Sequence, residues 1–333
     1  MISHLQDEPH VAAIDLGSHT CRILIARLED DGKSHKVVDS LARVVRLGAG
    51  VRDTGLLSTE GMDRSIQAIK DCARKLQKYN IVGLRSVATE ACRQAKNAQE
   101  FLRRVTFETG IELEIIPEFE EGQLALLGCN MHIDPATPYL LAFDIGGCST
   151  EVMWAKVEHN NPPKVQDWMS VPFGVVNVVE AAGGSPSIFY TDIRERIQKE
   201  LHQLSRYQEI TALVGEHNVQ MIGTSGTTTT VTAIHLDLPV YDRFQVDGTL
   251  IPLMRIHEIG KKLADMTPRQ LAQHACIGPS RSDLIIGGMA ILEGICDCWP
   301  VKDLKVADRG VRDGILHALR EQQLKQSKIT QVS

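Results

Sequence analysis

Two stretches of this chain repeat one another, and the repeat constrains the fold more than any other feature. Ala13-Ile-Asp15-Leu-Gly17-Ser18-His19-Thr20-Cys-Arg22 and onward to Glu29 aligns without a gap on Ala142-Phe-Asp144-Ile-Gly146-Gly147-Cys148-Ser149-Thr-Glu151 and onward to Glu158. In each copy an apolar run reaches an aspartate, a glycine turn follows, and a β-rich run ends on basic–apolar–Glu. The pattern reads as strand, tight turn, strand, carried twice. A single D-x-G hairpin is ordinary structure. Two with the same flanks mark a duplicated unit. Glycine admits close backbone approach to a ligand, and successive N–H groups with Ser/Thr hydroxyls form a concave anion site. The aspartate ending the first strand can hold a divalent cation beside a bound phosphate. Two such hairpins, one per domain, would clamp a phosphate chain from both sides.

The remaining sequence fits two α/β units, in keeping with 333 residues. A third β-rich run covers Lys36–Leu47, and Ser58 opens an amphipathic helix through Tyr79. Strand Val82–Ala88, a short helix Ala91–Ala95, a helix capped by Asn97 with Glu100 and stopped at Gly110, strand Ile111–Ile116 and helix Glu118–Gly128 follow. After the second hairpin come strand Val165–Val171, helices near Val175–Ala182 and Ile188–Tyr207, strand Val219–Gly223 and a Thr-rich helix start. A helix Asp283–Cys298, strand Leu304–Ala307 and helix Val311–Gln323 close the pattern, which is that of α/β layers. His132–Pro138 is the expected hinge, and the polar tail after Gln323 is expected to fray.

Composition narrows the class. Hydrophobic residues at 43% and charged residues at 23% exclude wholesale disorder, and a net charge of −6 argues against indiscriminate nucleic-acid binding. No run approaches the ~18 apolar residues of a membrane span, and the N-terminus lacks a signal-peptide pattern, so a cytoplasmic location is expected. The eight cysteines are scattered and read as reduced, buried thiols. H-E-x-x-H, the G-x-x-x-x-G-K-[ST] loop and G-x-S-x-G are all missing, which removes zinc protease, P-loop enzyme and serine hydrolase.

Five motifs in order carry a resemblance. They are Asp15–Arg22, Ala88-Thr-Glu-Ala-Cys-Arg93 through Asn97, Glu120-Glu121-Gly122, Asp144–Glu151 and Gly223-Thr-Ser225-Gly226-Thr227. The chain resembles the exopolyphosphatase / guanosine pentaphosphate phosphohydrolase family of the actin-like phosphotransferase superfamily. That resemblance implies two ribonuclease-H-like (actin-like ATPase) domains with an interdomain cleft, residues 1–130 plus 308–333 forming one and 131–307 the other. It implies release of terminal phosphate from inorganic polyphosphate, or of the 5′ γ-phosphate from guanosine pentaphosphate, with Mg2+ or another divalent cation. Glu121 matches the catalytic glutamate. Asp15, Asp144 and Glu151 match the acidic, metal-holding residues. Gly17, Ser18, Thr20, Arg22, Arg93, Gly146, Gly147, Ser149, Gly223, Ser225, Gly226 and Thr227 match phosphate-binding positions. Partners are the two phosphate substrates, with a homodimer as an option and with neither a membrane nor a specific nucleic acid.

Departures from the family pattern are His19 for asparagine, Cys148 for a third glycine and Gly122 for alanine. Longer members carry a further helical region, so weakly processive or distributive digestion is expected here. Arg64 to Arg104 holds ten Lys/Arg against three Asp/Glu. A solvated helix face accounts for Arg74, Lys75 and Lys78, whereas Arg93, Lys96, Arg103 and Arg104 could extend a phosphate track. Rival readings are a small-molecule kinase of the same superfamily and a non-enzymatic sensor of guanosine tetra- or pentaphosphate. Polyphosphate and guanosine pentaphosphate are not separated by any motif in the sequence.

Overall fold

The structure is a computed structural model describing residues 8–29, 35–158, 161–183 and 189–332. It divides into two compact units, Met1–Gly128 with Val311–Ser333, and Cys129–Gly310.

In the first unit, β1 (Pro9–Leu16), β2 (Thr20–Leu28) and β3 (His35–Val44) form an antiparallel meander. After α1 (Val51–Thr54) and α2 (Thr59–Leu76), β4 (Asn80–Ala88) returns parallel to β1. Next come α3 (Glu90–Gln94), α4 (Ala98–Thr109), β5 (Glu114–Ile115) and α5 (Glu118–Gly128), giving the sheet order β3-β2-β1-β4-β5. Strand β1 is the centre, covered on both faces, which is why it reads as a continuous apolar run. Ala12, Ile14 and Leu16 pack into the core with α2 and α4, while Val11 and Ala13 face α5 and the C-terminal helix Val311–Val332. Ser58 caps α2 by accepting from the Gly61 N–H at 3.1 Å, and Ile66, Ile69 and Cys72 form its buried stripe. The C-terminal helix is anchored through Ile315 and Leu316, both fully buried and each contributing on the order of 2 kcal/mol. At Gly314 a Cβ would stand 2.0 Å from the Leu124 carbonyl, so glycine there lets the helix lie directly against the α5 backbone.

The second unit repeats that topology. Its strands are β6 (Tyr139–Ile145), β7 (Thr150–Glu158) and β8 (Asn161–Val171), followed by α6 (Val175–Ala181), α7 (Tyr190–Leu201) and α8 (Tyr207–Gly215). Then come β9 (Val219–Thr224), α9 (Gly226–His235), α10 (Arg243–Val246), β10 (Leu250–Pro252), α11 (Leu253–Ala264), α12 (Pro268–Gln273), α13 (Ile285–Cys298) and β11 (Asp303–Ala307). The order β8-β7-β6-β9-β11 matches β3-β2-β1-β4-β5, with β10 added antiparallel at the β11 edge. Helix α13 lies in the core and is buried along most of its length, its two acids Glu293 and Asp297 both paired with Arg194.

Several expectations are corrected. Asn97 occupies the N-cap position of α4, but its side chain bonds the Leu57 N–H and C=O instead, at 2.9 and 3.0 Å. Strand β5 has only two residues. The helix expected over Ile188–Tyr207 is two helices, with Ser205 and the Arg206 N–H held by Asp167 at the break; Ile188 lies outside the described residues. His132–Pro138 belongs to the second unit and is fastened to β9, because Gln220 donates to the His132 carbonyl and accepts from the Asp134 N–H. The backbone after Gln323 continues as helix to Val332. All eight cysteines are buried and free. Among the described residues, no helix is long and apolar enough to cross a membrane.

Candidate active site

Each hairpin turn is held by its carbonyls. In the first, the Gly17 N–H closes the turn on the Thr20 carbonyl at 3.0 Å. The Ser18 carbonyl accepts from Gly48, and the His19 carbonyl accepts from Val45 and Arg46, at 2.8–3.0 Å. In the second, the Gly146 N–H closes on Ser149 at 2.9 Å. The Gly147 carbonyl accepts from the Val176 N–H at 2.7 Å, and the Cys148 carbonyl from Asn177 Nδ2 at 2.7 Å. Ser18 and Gly147 are equivalent in the repeat. Neither of their N–H groups has a backbone acceptor among the described residues outside regular helix and strand pairing. A turn with its carbonyls occupied and an amide without a backbone acceptor has the donors that an anion requires.

The turns differ in what surrounds them. Ser18 is buried, and its hydroxyl accepts the Ala91 N–H at 3.2 Å, stapling the first turn to α3. On α6, Gly174 is pressed against the second turn, where a Cβ would stand 2.3 Å from Cys148 N and from the Gly147 carbonyl carbon. Asp15 sits opposite Arg22 across β1 and β2, whereas the equivalent pair across β6 and β7 is Asp144 and Glu151. Directly opposed residues of an antiparallel pair share a face, and like charges there repel. Glu151 is 2% exposed and accepts from Ser170 Oγ at 3.0 Å. Two facing carboxylates at a strand end suit a hard divalent cation that takes its remaining ligands from water and phosphate. No group of three or more His, Cys, Asp or Glu that could hold a metal occurs among the described residues. Any such ion would rest on this pair, with Asp15 placed in the other unit.

Glu121 lies in the first turn of α5, where acidic side chains complement the helix dipole. Its neighbour Glu120 is fixed by Arg85, which also binds Glu114 on β5. Arg93 on α3 donates from Nη1 to Glu121 Oε2 at 2.7 Å and to the Ile116 carbonyl at 2.9 Å. Its Nε donates to Glu90 Oε2 at 2.9 Å. Burial would lower the Arg93 pKa, but Glu121 and Glu90 outweigh it and raise the value above that of a free guanidinium. Arg93 is therefore engaged with two carboxylates. Arg22, by contrast, has no carboxylate at ion-pair distance among the described residues, and Thr20 lies two positions before it at the start of β2.

The Gly223–Thr227 segment separates into different roles. Gly223 is inside β9, and a Cβ there would meet the Phe143 ring at 2.6 Å, so this glycine serves packing. Thr227 is buried against α13, with Oγ1 2.2 Å from where a Cβ on Gly288 would be. Ser225 holds φ +141°, in the region that favours glycine, and caps α9 by accepting the Thr228 N–H at 3.0 Å. Arg281 donates to the Gly226 carbonyl and to Thr230 Oγ1. Thr224 pairs with Asp144 in register, and its buried Oγ1 has no hydrogen-bond partner.

Sequence reasoning missed Thr224, Glu90, Gly174 and Asn177. For the last two a signal existed: Gly174 opens an apolar run with Asn177 three residues on, a helix start directly after a strand. Of the suggested phosphate track, Arg104 is committed to Asp63 at 2.7 Å and Glu108 at 3.4 Å.

A duplicated mixed sheet with an acid-ended glycine hairpin in each copy defines a two-domain, phosphate-handling α/β protein of the actin-like ATPase fold. Residues 24–323 match the Ppx/GppA phosphatase family, and the chain belongs to that family. It is similar to Exopolyphosphatase 2 of Mycobacterium tuberculosis, with 28% identity covering 93% of this chain and 98% of the relative. A solved exopolyphosphatase-like protein superposes with a TM-score of 0.82 at 28% identity, covering 95% and 98% of the two chains. The Aquifex aeolicus member of the Ppx/GppA family gives 0.73 at 26% identity, again over 95% and 98%.

Proposed function

We propose that this phosphatase hydrolyses the terminal phosphoanhydride of inorganic polyphosphate, with guanosine pentaphosphate as a second substrate of the same chemistry. The observation that carries the reading is Glu121, fixed by Arg93 in the first turn of α5. In the reaction a water oxygen forms a bond to the terminal phosphorus and the bridging P–O bond breaks. Glu121 takes the proton from that water, and the shortened chain leaves with the bridging oxygen. In the first unit, Glu121 acts on the water, and Arg22 and the Ser18 amide suit phosphate oxygens. In the second unit, taken by itself, the Gly147 amide and the strained Ser225 turn suit an anion, and the carboxylates Asp144 and Glu151 suit a cation. A magnesium ion held by Asp144 and Glu151 would neutralise charge on the phosphate oxygens. Glutamine in place of Glu121 keeps the shape and cannot accept the proton, so Glu121→Gln should lower kcat by ~10²–10⁴-fold with KM little changed. Turnover near the parent's would remove Glu121 from this role. Phosphate release from polyphosphate with no acceptor present separates this hydrolase from a kinase, and binding without turnover would identify a sensor.

A further inference from the structure

The guanidinium that holds Glu121 is itself held, and by a residue of the second motif to which the resemblance assigns no role. Glu90, the first residue of α3, is 7% exposed and faces Arg93 side-on. Its Oε2 accepts from Arg93 Nε at 2.9 Å and stands 2.8 Å from Nη2. Its Oε1 accepts from Gln94 Nε2. Both oxygens are therefore occupied, and the carboxylate cannot rotate without breaking a bond. With one edge of Arg93 fixed in this way, Nη1 is left to bind Glu121 Oε2 and the Ile116 carbonyl. Nη2 is buried and meets no acceptor with hydrogen-bond geometry. A buried donor left in that state calls for an explanation, and a phosphate oxygen is the acceptor an arginine fork fits.

Charge makes the same case. Without Glu90, Arg93 would be held only through Nη1, by Glu121 and the Ile116 carbonyl, and the plane of the guanidinium could swing about that nitrogen. A second carboxylate on the far edge turns the guanidinium into a rigid bridge with a fixed angle. Glu90 has no other charged partner within the described residues than Arg93. Burying a carboxylate is costly unless it is paired, so a buried acid devoted to one arginine marks a site where orientation matters.

We infer that Glu90 is a positioning residue for hydrolysis, locking the Arg93 edge so that Glu121 is held at the angle from which it takes the proton of water. The inference rests on the reading of Glu121 given above. Its test is a set of four proteins beside the parent: Glu90→Ala, Glu90→Gln, Glu121→Gln and the Glu90→Ala/Glu121→Gln double variant. Phosphate release from polyphosphate with magnesium gives kcat and KM for each, and thermal melting checks the fold. Glu90→Ala should lower kcat by ~10²-fold, the scale of a misplaced catalytic group, with KM changed by less than about threefold. Glu90→Gln keeps an acceptor for the Nε–H and should recover kcat to between about a third and a tenth of the parent's. In the Glu121→Gln background, adding Glu90→Ala should change the residual rate by less than about twofold, because the group being aimed is already disabled.

Parental kcat in Glu90→Ala, while Glu121→Gln is inactive, would overturn the role of Glu90 and leave that of Glu121 intact. So would a full ~10²-fold further loss in the double variant, which would show that Glu90 acts elsewhere. Parental turnover in Glu121→Gln would instead overturn the reading of Glu121 and this inference with it. Should Glu90→Ala not fold, Glu90→Gln decides alone: the stated partial loss supports the inference, and parental kcat overturns it.

Discussion

Gly174→Ala tests the proposition that the second phosphate turn is shaped from behind. Gly174 has φ −129° and ψ 169°, extended backbone that alanine adopts freely. Were there room, the substitution would stabilise by ~0.4–1 kcal/mol through the unfolded chain. There is none. The new Cβ would stand 2.3 Å from Cys148 N and the Gly147 carbonyl carbon and 2.4 Å from the Gly147 carbonyl oxygen, all backbone atoms that no side-chain rotation can move. Either α6 withdraws or the turn shifts. In both cases the bonds from Val175, Val176 and Asn177 to the Gly146, Gly147 and Cys148 carbonyls are stretched. Overpacking of this kind costs roughly 2–3 kcal/mol, which in a unit of this size is a fall of about 5–10 °C in Tm.

The functional loss should exceed what stability explains, because the displaced atoms belong to the same turn as the Gly147 amide proposed to bind the anion. We expect kcat/KM for polyphosphate to fall by at least about tenfold at temperatures where the variant remains folded. Gly215→Ala is the control: a Cβ there meets nothing within 4 Å, so the rate should stay at the parental value and Tm should hold or rise by about 1–4 °C. A Gly174→Ala protein with Tm within about 1 °C and a rate within about twofold of the parent would refute the argument.

Three further outcomes follow from the structure. Asp144→Asn should raise the magnesium concentration for half-maximal activity by about tenfold or more, since even outer partners of a metal ligand cost that much; an unchanged titration would place the ion elsewhere. Arg22→Ala, at a residue with no ion pair to lose, should raise KM while shifting Tm by no more than about 1 °C, and a large Tm loss would mark Arg22 as structural. Asp247 is half-buried, which alone would raise its pKa, but the His132 hydrogen bond and the Arg309 charge hold it down at about 2. A depressed carboxylate pKa stabilises above the unfolded value and loses that contribution as pH falls from about 4 to about 2. Asp247→Asn should thus lower stability at pH 7 by about 2 kcal/mol, with the gap to the parent closing as pH falls through that window in urea melts; a gap independent of pH would refute it.

What was legible in the sequence is what local chemistry encodes. The two hairpins, the cap at Ser58 and the span of α5 are set by residues a few positions apart, and they stand where the pattern puts them. The supports of the site were not legible, because they arrive from far along the chain. Ser18 meets Ala91 across 73 positions, and Cys148 meets Asn177 across 29. Gly223 and Thr227 show the converse. Their motif reads as a ligand loop, and the structure adds that Gly223 is packed against Phe143 and Thr227 against Gly288, partners not deducible from the string. The segment from Asp237 to Asp283 also went largely unread, since short helices such as α10 and α12 carry too few turns to show a period.

The repeat explains both the similarity of the two half-sites and their difference. Equivalent carbonyls are tied back in both turns, yet by unrelated means: a loop at Val45–Gly48 in one unit, a helix start with Asn177 in the other. A turn geometry reached by two separate sets of supports is what the chemistry at its front requires, and the supports are free to vary. The position across from the aspartate then sets what each turn does. On the reading proposed above, Arg22 opposite Asp15 serves phosphate in the first unit, while the facing carboxylates Asp144 and Glu151 of the second serve a divalent cation. Removing that charge while keeping the side chain's shape, Glu151→Gln, should therefore raise the magnesium concentration for half-maximal activity by about tenfold or more without unfolding the unit, because the buried amide oxygen can still accept from Ser170 Oγ. A variant that keeps the parental magnesium titration would show that the opposed carboxylates are not where the ion binds.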